Sequence, residues 1–127
     1  MKLLILTRSD DVGVDLLLEG FPKEAEVFRY NFDRYADYNL RMSKDYWEIS
    51  NKMESISSLD ETFCWWWKFA LNGDEIENFY REELMYFFNE IYSWHRIRGK
   101  TRGNPPYFHR DFGKIAFLKI ASNYFNI

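Results

Sequence analysis

The chain has 127 residues, of which 46% are hydrophobic and 20% aromatic, and its formal net charge is −3. This composition supplies a hydrophobic core of ordinary size and excludes an intrinsically disordered chain. The small acidic charge produces no field that would draw the molecule onto nucleic acid or an anionic membrane, so neither is expected as a partner. We therefore expect a single domain over residues 1–127.

The cysteine content and the start of the chain indicate a cytoplasmic protein. Cys64 is the one cysteine, which excludes an internal disulfide and suits a reducing compartment. The apolar residues 2–6 are followed at once by the polar run Thr7–Asp11, so they are too short for a signal-peptide core. No segment approaches the roughly 20 apolar residues that cross a bilayer.

The first third of the chain predicts a strand, a helix and a second strand. Residues 2–6 are typical of a strand buried on both faces, and Ser9, Asp10 or Asp11 can cap the following helix. The predicted apolar face of that helix consists of Val12, Leu16, Leu17 and Phe21. The second strand is predicted over residues 25–32, parallel to the first because the crossover between them is short and right-handed.

The middle of the chain predicts further strands. Apolar and polar residues alternate within 37–51, which indicates a hairpin with one solvated side. Residues 55–60 are polar and linker-like, whereas residues 63–67 are dense in strand-forming side chains. We expect one mixed sheet of about five strands, parallel at its start and antiparallel at an edge.

The last part of the chain is predicted to be helical. Apolar residues recur every three or four positions from Glu75 to Arg98, and Gly99 ends this helix. Asn104-Pro105-Pro106 breaks the chain before a final helix over residues 115–125. The predicted fold class is α/β, a three-layer-like arrangement of a twisted mixed sheet with three helices.

Motifs that would carry chemistry on their own are absent from the sequence. A single glycine, Gly13, follows the first strand, where a dinucleotide-binding fingerprint requires three. Cys64, His95 and His109 are too few and too dispersed for a metal site, so we interpret them as structural or surface residues and expect no metal site.

Three features allow both a functional and a structural interpretation. Ser9 and Asp10 follow the first strand at the edge where open α/β sheets bind ligands, although capping is the favoured role of this segment. Trp65–Trp67 suits either an aromatic platform or, preferably, packing on both faces of a strand. The basic residues of 96–102 suit binding of phosphate or an acidic peptide, but compensation of the helix dipole is favoured.

Taken in order, several segments resemble the N-terminal domain of the ATP-grasp ligases that cross-link microviridin-type peptides, and more distantly that of ribosomal-protein glutamate ligases. The segments that carry the resemblance are Lys2–Asp11, Phe28–Asp33, Trp65–Lys68, Glu82–Trp94 with Gly103–Pro106, and Gly113–Ala121. Two positions depart from the pattern: Phe69 replaces a basic residue or proline, and Gly113 replaces an asparagine.

The resemblance implies a pre-ATP-grasp, Rossmann-like domain of an ATP-dependent carboxylate–amine or carboxylate–hydroxyl ligase that acts on a peptide or protein. ATP and magnesium are then the cofactors of the full-length protein, and a downstream ATP-grasp domain, expected after residue 127, is the partner that carries the catalysis. Lys114 is the implied contact to the nucleotide phosphates. The substrate-side candidates are Ser9, Asp10, Lys68 and Asn104.

A second interpretation is a protein-interaction or dimerisation module without enzymatic activity, and a homodimer is compatible with either. A small-ligand sensor that uses the edge after the first strand is a third.

Overall fold

A computed structural model describes residues 1–67 and 77–103. In chain order the described strands are β1 (Lys2–Thr7), β2 (Glu26–Asn31), β3 (Asn39–Ser43), β4 (Tyr46–Ser50), β5 (Ser55–Ser57), β6 (Thr62–Trp66) and β7 (Thr101–Arg102). The described helices are α1 (Val12–Glu19), a short 3-10 helix (Phe32–Asp37) and α2 (Asn78–Ile97). Their arrangement confirms the α/β class.

The strands form two sheets. Strands β2, β1, β6 and β7 lie side by side in that order, and every neighbouring pair is parallel. Strands β3, β4 and β5 form a separate antiparallel sheet. The predicted hairpin is therefore confirmed as β3 and β4, but it does not extend the edge of the parallel sheet. The segment 55–60, interpreted from its polarity as a linker, supplies β5 through the buried side chain of Ile56.

Helix α2 lies between the two sheets. Its Phe88 ring is 4.7 Å from the ring of Tyr30 in β2 and 6.3 Å from that of Trp66 in β6. On the other side, the ring of Trp94 is 6.4 Å from that of Trp47 in β4. The core thus consists of one face of each sheet and the apolar face of α2. No helix in the described part of the chain is long and apolar enough to cross a membrane.

Helix α1 presents only part of the predicted face to the protein: Leu17 and Phe21 are half-buried, but Val12 and Leu16 are not. Val12 and Leu16 are 66% and 63% exposed, whereas Val14 is fully buried. The N-cap lies directly before this inward side: Asp11 is buried and accepts from the hydroxyl of Thr7 and from the amide of Val14. One turn after Val14, Leu17 and Leu18 are half-buried on the same side, as helical spacing requires.

The end of α2 positions the last described strand. Gly99 has φ of 65°, and the amide of Lys100 donates to the carbonyl of His95 at 2.8 Å, which closes the helix as a Schellman motif. The carbonyl of Lys100 then accepts from the amide of Cys64 at 2.9 Å, so β7 starts in register beside β6. The final helix predicted over 115–125, and the Asn104-Pro105-Pro106 break before it, lie outside the described residues.

Gly103 follows β7 where the backbone passes very close to β6. Its φ is 85°, and a Cβ atom at this position would lie 2.3 Å from the carbonyl oxygen of Trp66. A side chain therefore cannot be accommodated without a shift of the backbone.

His95 is a buried structural residue, as predicted. The carbonyl of Ile91 accepts from its Nδ1 at 2.7 Å, so Nε2 carries the lone pair and accepts from the hydroxyl of Thr62 at 2.7 Å. Burial lowers the pKa of His95, Arg98 lowers it further, and the bond to Ile91 acts in the opposite direction. Cys64 is likewise fully buried, and burial raises the pKa of its thiol.

We predict that Gly103→Ala destabilises the fold more than Gly99→Ala. A Cβ at Gly99 meets open space, so its substitution should cost only the left-handed backbone penalty of about 1–2 kcal/mol. At Gly103 the clash with Trp66 adds to that penalty, for a total of about 3 kcal/mol or more. Urea denaturation measures both values, and equal losses for the two variants would contradict the close approach.

We predict that the protein loses stability as the pH falls through the ordinary range of histidine. The unfolded chain takes up a proton on His95 near pH ~6.5, whereas the folded protein resists it because its pKa is lowered. The free energy of unfolding should therefore be lower at pH ~5.5 than at pH ~7.5. His95→Gln should remove this component, and His109→Gln, at the other histidine, is the matched control that should retain it.

Candidate functional site at the carboxyl edge of the parallel sheet

The order of the parallel strands places a topological switch point at the carboxyl end of β1. From β1 the chain crosses to β2 on one side, whereas β6 lies on the other side of β1. Connections that leave a sheet in opposite directions separate at such a point, and open α/β sheets bind ligands there. The segments that border this edge are Thr7–Asp11 after β1, Asn31–Asp33 after β2, and Trp67 after β6.

The start of α1 is occupied by the protein's own carboxylate. Asp11, 5% exposed, accepts hydrogen bonds from the Thr7 hydroxyl at 2.9 Å and the Val14 amide at 3.2 Å. Of the three residues considered as caps, Asp11 is therefore the one that caps the helix. A negatively charged cap uses an amide that would otherwise bind a phosphate, so α1 is not arranged as a phosphate site.

Ser9 is held by a carboxylate from the next strand. Its amide donates to Asp33 at 2.8 Å, and its hydroxyl donates to the other oxygen of the same carboxylate. Partial burial acts to raise the pKa of Asp33, but the bonds from Ser9 and the charge of Arg8 outweigh it, and the net shift is downward. Asp33 is therefore ionised at neutral pH and fixes the loop after β1 against the end of β2.

Arg29 joins three parts of the same edge. Its guanidinium donates to the carbonyl of Arg8 at 2.6 Å, to the side chain of Asn31 at 2.8 Å, and to the carboxylate of Asp15 in α1. The side chain is only 19% exposed. Because an arginine offers several donors in a fixed plane, Arg29 makes the strand end, the loop and α1 one rigid unit.

Asp10 lies at the exposed rim of this edge. Its carboxylate is 70% exposed and pairs with the guanidinium of Arg8 at 3.0 Å. Arg8 also lies over the ring of Phe32, 5.1 Å from its centroid. Asp10 can therefore meet a ligand from solvent, whereas the hydroxyl of Ser9 is already committed to Asp33.

The tryptophan run divides between the two faces of β6, as strand alternation predicts. Trp66 is 5% exposed and packs in the core on the side of α2. Trp65 and Trp67 are half-buried on the opposite face, with ring centroids 5.2 Å apart in an edge-to-face arrangement. The ring of Trp67 lies beside the start of α1, since a Cβ on Gly13 would lie 3.8 Å from it.

The basic segment after α2 is largely satisfied within the protein. Arg98 donates to the carbonyl of Trp94 at 2.9 Å and covers the ring of the same residue, 3.3 Å from its centroid. Lys100 pairs with Glu61 at 3.1 Å. These contacts agree with the interpretation that the cations compensate the helix end rather than bind a ligand.

Of the site residues predicted from the sequence, the structure describes Ser9 and Asp10, which are neighbours in the chain. Lys68, Asn104 and Lys114 lie outside the described residues. Sequence reasoning did not select Asp33 and Arg29, although polar residues at the end of a second parallel strand were a usable signal for both. Within residues 1–67 and 77–103 no three acidic, histidine or cysteine side chains are grouped to hold a metal ion.

Charge decides what this edge can bind. The four aspartates Asp10, Asp11, Asp15 and Asp33 outnumber the two arginines Arg8 and Arg29. An excess of carboxylate favours cationic or hydrogen-bond-donating groups and repels phosphate. The edge is thus better suited to part of a polypeptide than to a nucleotide.

The comparisons with known proteins give likenesses of structure. No protein-family model matches the sequence, and no curated protein matches it. The fold is similar to the macrocyclase MdnC from Microcystis aeruginosa MRC, solved with its precursor peptide MdnA, with a TM-score of 0.52 and 19% identity over 74% of this chain and 33% of that one. The macrocyclase MdnB from the same organism gives a TM-score of 0.52 and 23% identity over 75% of this chain and 35% of that one.

A third similar structure is a RiPP-associated ATP-grasp ligase from Chryseobacterium gregarium, in complex with ADP and with a leader and core peptide. Its TM-score is 0.47, with 21% identity over 96% of this chain and 40% of that one. The chain thus spans about a third of the length of the two macrocyclases. The resemblance predicted from the sequence is confirmed for the fold.

We predict that Asp33→Asn destabilises the protein at neutral pH and that the loss shrinks in acid. The pKa of Asp33 is lower in the folded protein than its ordinary value near ~3.9, so its contribution is present above that value and is lost as the pH falls through the folded pKa. The measurement is urea denaturation of both proteins at several pH values. The control is Asp10→Asn, at the exposed rim, which should change stability little. A loss for Asp33→Asn that does not depend on pH would contradict the role of its charge.

Proposed function

We propose that the chain is the substrate-side domain of an ATP-dependent ligase that joins a carboxylate to an amine or hydroxyl of a peptide or protein. The observation that supports this is the likeness of its fold to part of two macrocyclases, one of them solved with its precursor peptide. On this proposal the catalytic ATP-grasp portion is a separate part of the same protein.

The chemistry of the described edge supports this division of labour. ATP-dependent ligation first transfers the γ-phosphoryl group of ATP to the substrate carboxylate, which gives an acyl phosphate and ADP. The amine or hydroxyl then attacks the acyl carbon and displaces phosphate, so the product has lost one water. Both steps need cations around the phosphates, whereas the carboxyl edge of this sheet carries an excess of aspartate and a capped helix.

Residue roles follow from that division. Lys114 is proposed to approach the nucleotide phosphates in the complete ligase, with magnesium held by the ATP-grasp portion. Ser9, Asp10, Lys68 and Asn104 are proposed to face the substrate. A cytoplasmic location would supply the ATP.

A stand-alone interaction or dimerisation module is the second candidate function. The observation that favours it is the exposure of aromatic side chains along α2, where Phe79 and Tyr86 are 68% and 69% exposed. Exposed aromatic residues in a group are typical of a surface that binds another protein.

We predict that the protein encoded by the complete open reading frame consumes ATP and removes water from a peptide as it forms each bond. The protein is incubated with magnesium-ATP and with each short peptide encoded beside it, and mass spectrometry follows the loss of one water per bond formed while ADP is measured. Residues 1–127 alone should neither release ADP nor bind magnesium-ATP in isothermal titration, because the phosphate-binding portion lies elsewhere.

Paired lysine variants control for the proposed contact in the same assay. Lys114→Ala should raise the KM for ATP or lower kcat by about tenfold, since a cation that neutralises transferred phosphate is removed. Lys119→Ala should leave both unchanged. The interaction module would be favoured if the complete protein had no ATP-dependent activity and the chain formed a stable complex with another protein. Tight binding of magnesium-ATP by residues 1–127 alone would overturn the proposal.

A further inference from the structure

A groove of about 520 Å³ separates the hairpin from the first half of α2. The residues that matter for its chemistry are Tyr35, Tyr38, Leu40, Met42, Tyr80 and Glu83. Tyr35 and Tyr80 face each other across it, with ring centroids 5.4 Å apart. Tyr80 and Met42 remain 44% and 42% exposed, so large apolar side chains here are open to solvent.

Strand β3 borders this groove and is the edge of its sheet. The order β3-β4-β5 leaves one side of β3 without a neighbouring strand in the part of the chain that the structure describes. An open edge of this kind presents unpaired backbone donors and acceptors, which can pair with an added strand.

The register identifies which backbone groups face outward. Ser43 and Tyr46 flank the two-residue turn of the hairpin and are paired in register, so they form the hydrogen-bonded pair next to that turn. Bonding alternates along an antiparallel ladder, so Leu40 and Met42 turn their amide and carbonyl groups away from β4. The side chains of the same two residues line the groove. One short stretch thus offers both main-chain pairing and an apolar surface.

The charge of the groove selects the occupant. Among the described residues that line it, Glu83 is the charged one, and it makes no ion pair with any other of them or with the rest of residues 1–67 and 77–103. The neighbouring groove beside Trp47 and Trp94 differs in charge, because Lys44 and Arg98 line it together with Asp45 and Glu90. Carboxylates on an aromatic wall attract lysine or arginine, whose cation can also lie over a tyrosine ring.

A second copy of the chain fits this charge poorly. If β3 paired with β3 of another molecule, the groove would receive Leu40 and Met42 of the partner copy, because the same face of both hairpins would lie on the same side. Arg41 points to the opposite face of the strand, since neighbouring side chains alternate. Such pairing would not bring Arg41 to Glu83.

We infer that the groove binds an extended segment of the peptide substrate as an additional strand on β3, with a lysine or arginine of that segment against Glu83. This inference rests on the proposed function for the identity of the peptide. The main-chain bonds to Leu40 and Met42 provide affinity, and the groove reads alternate side chains of the added strand.

The test measures binding of a defined probe to the chain by fluorescence anisotropy. The probe is an acetylated, fluorescein-labelled peptide of alternating valine and lysine, and its controls carry either glutamate in place of lysine or N-methyl groups on alternate amides. Methylation in the register that faces β3 should weaken binding about tenfold or more, because main-chain bonds are lost. Methylation in the other register, whose amides face solvent, should have little effect.

Two neighbouring glutamates provide matched protein variants. Glu83→Gln should weaken binding about threefold to fivefold, whereas Glu82→Gln, which removes the same charge outside the groove, should not. Absence of probe binding would overturn the inference. Equal effects of the two methylated registers, or of the two glutamine variants, would also overturn it. So would dimers that form through β3 and exclude the probe. No reaction is needed for this assay, so docking and the proposed ligase activity can fail separately.

Discussion

Helix α2 packs against the apolar faces of both sheets, and the rest of the described structure depends on this contact. Phe88 touches the parallel sheet through Tyr30 and Trp66, while Trp94 and His95 touch Trp47 of the antiparallel sheet. Each buried aromatic residue contributes about 1.5–3 kcal/mol through burial, and each ring pair adds about 0.5–1.5 kcal/mol. Two small sheets that would be marginal alone become one core through a shared helix.

The same arrangement separates two surfaces with different chemistry. The carboxyl edge of the parallel sheet is rigid, because Arg29 and Asp33 bind the loop after β1 from two directions. The groove between the hairpin and α2 is apolar and open, and beside it one edge of β3 pairs with no other strand of the described ranges. The two surfaces therefore differ in both charge and rigidity.

Much of this fold could be predicted from the sequence, because its strongest patterns are local. The apolar run of β1, the alternation in β3 and β4, and the helical spacing of α2 correspond to observed elements. The inward face of α1 could be predicted only in part from apolar spacing, since the helix carries apolar residues on both sides and Val12 and Leu16 are exposed. The division into two sheets depends on contacts with α2 across the chain, which no local pattern encodes. For the site, Ser9 and Asp10 were found from their place after β1, but Asp33, which accepts hydrogen bonds from Ser9, is distant in sequence.

The position of β7 also affects how the chain emerges from the ribosome. Strand β6 carries Trp65 and Trp66, and its outer neighbour β7 follows only after the whole of α2. During synthesis, β6 is therefore an uncovered edge rich in tryptophan until Thr101 and Arg102 have left the exit tunnel. A nascent chain in this state is exposed to pairing with other chains and to aggregation. Slow translation through α2 would lengthen that interval, so the yield of soluble protein should depend on codon choice in the segment that encodes it.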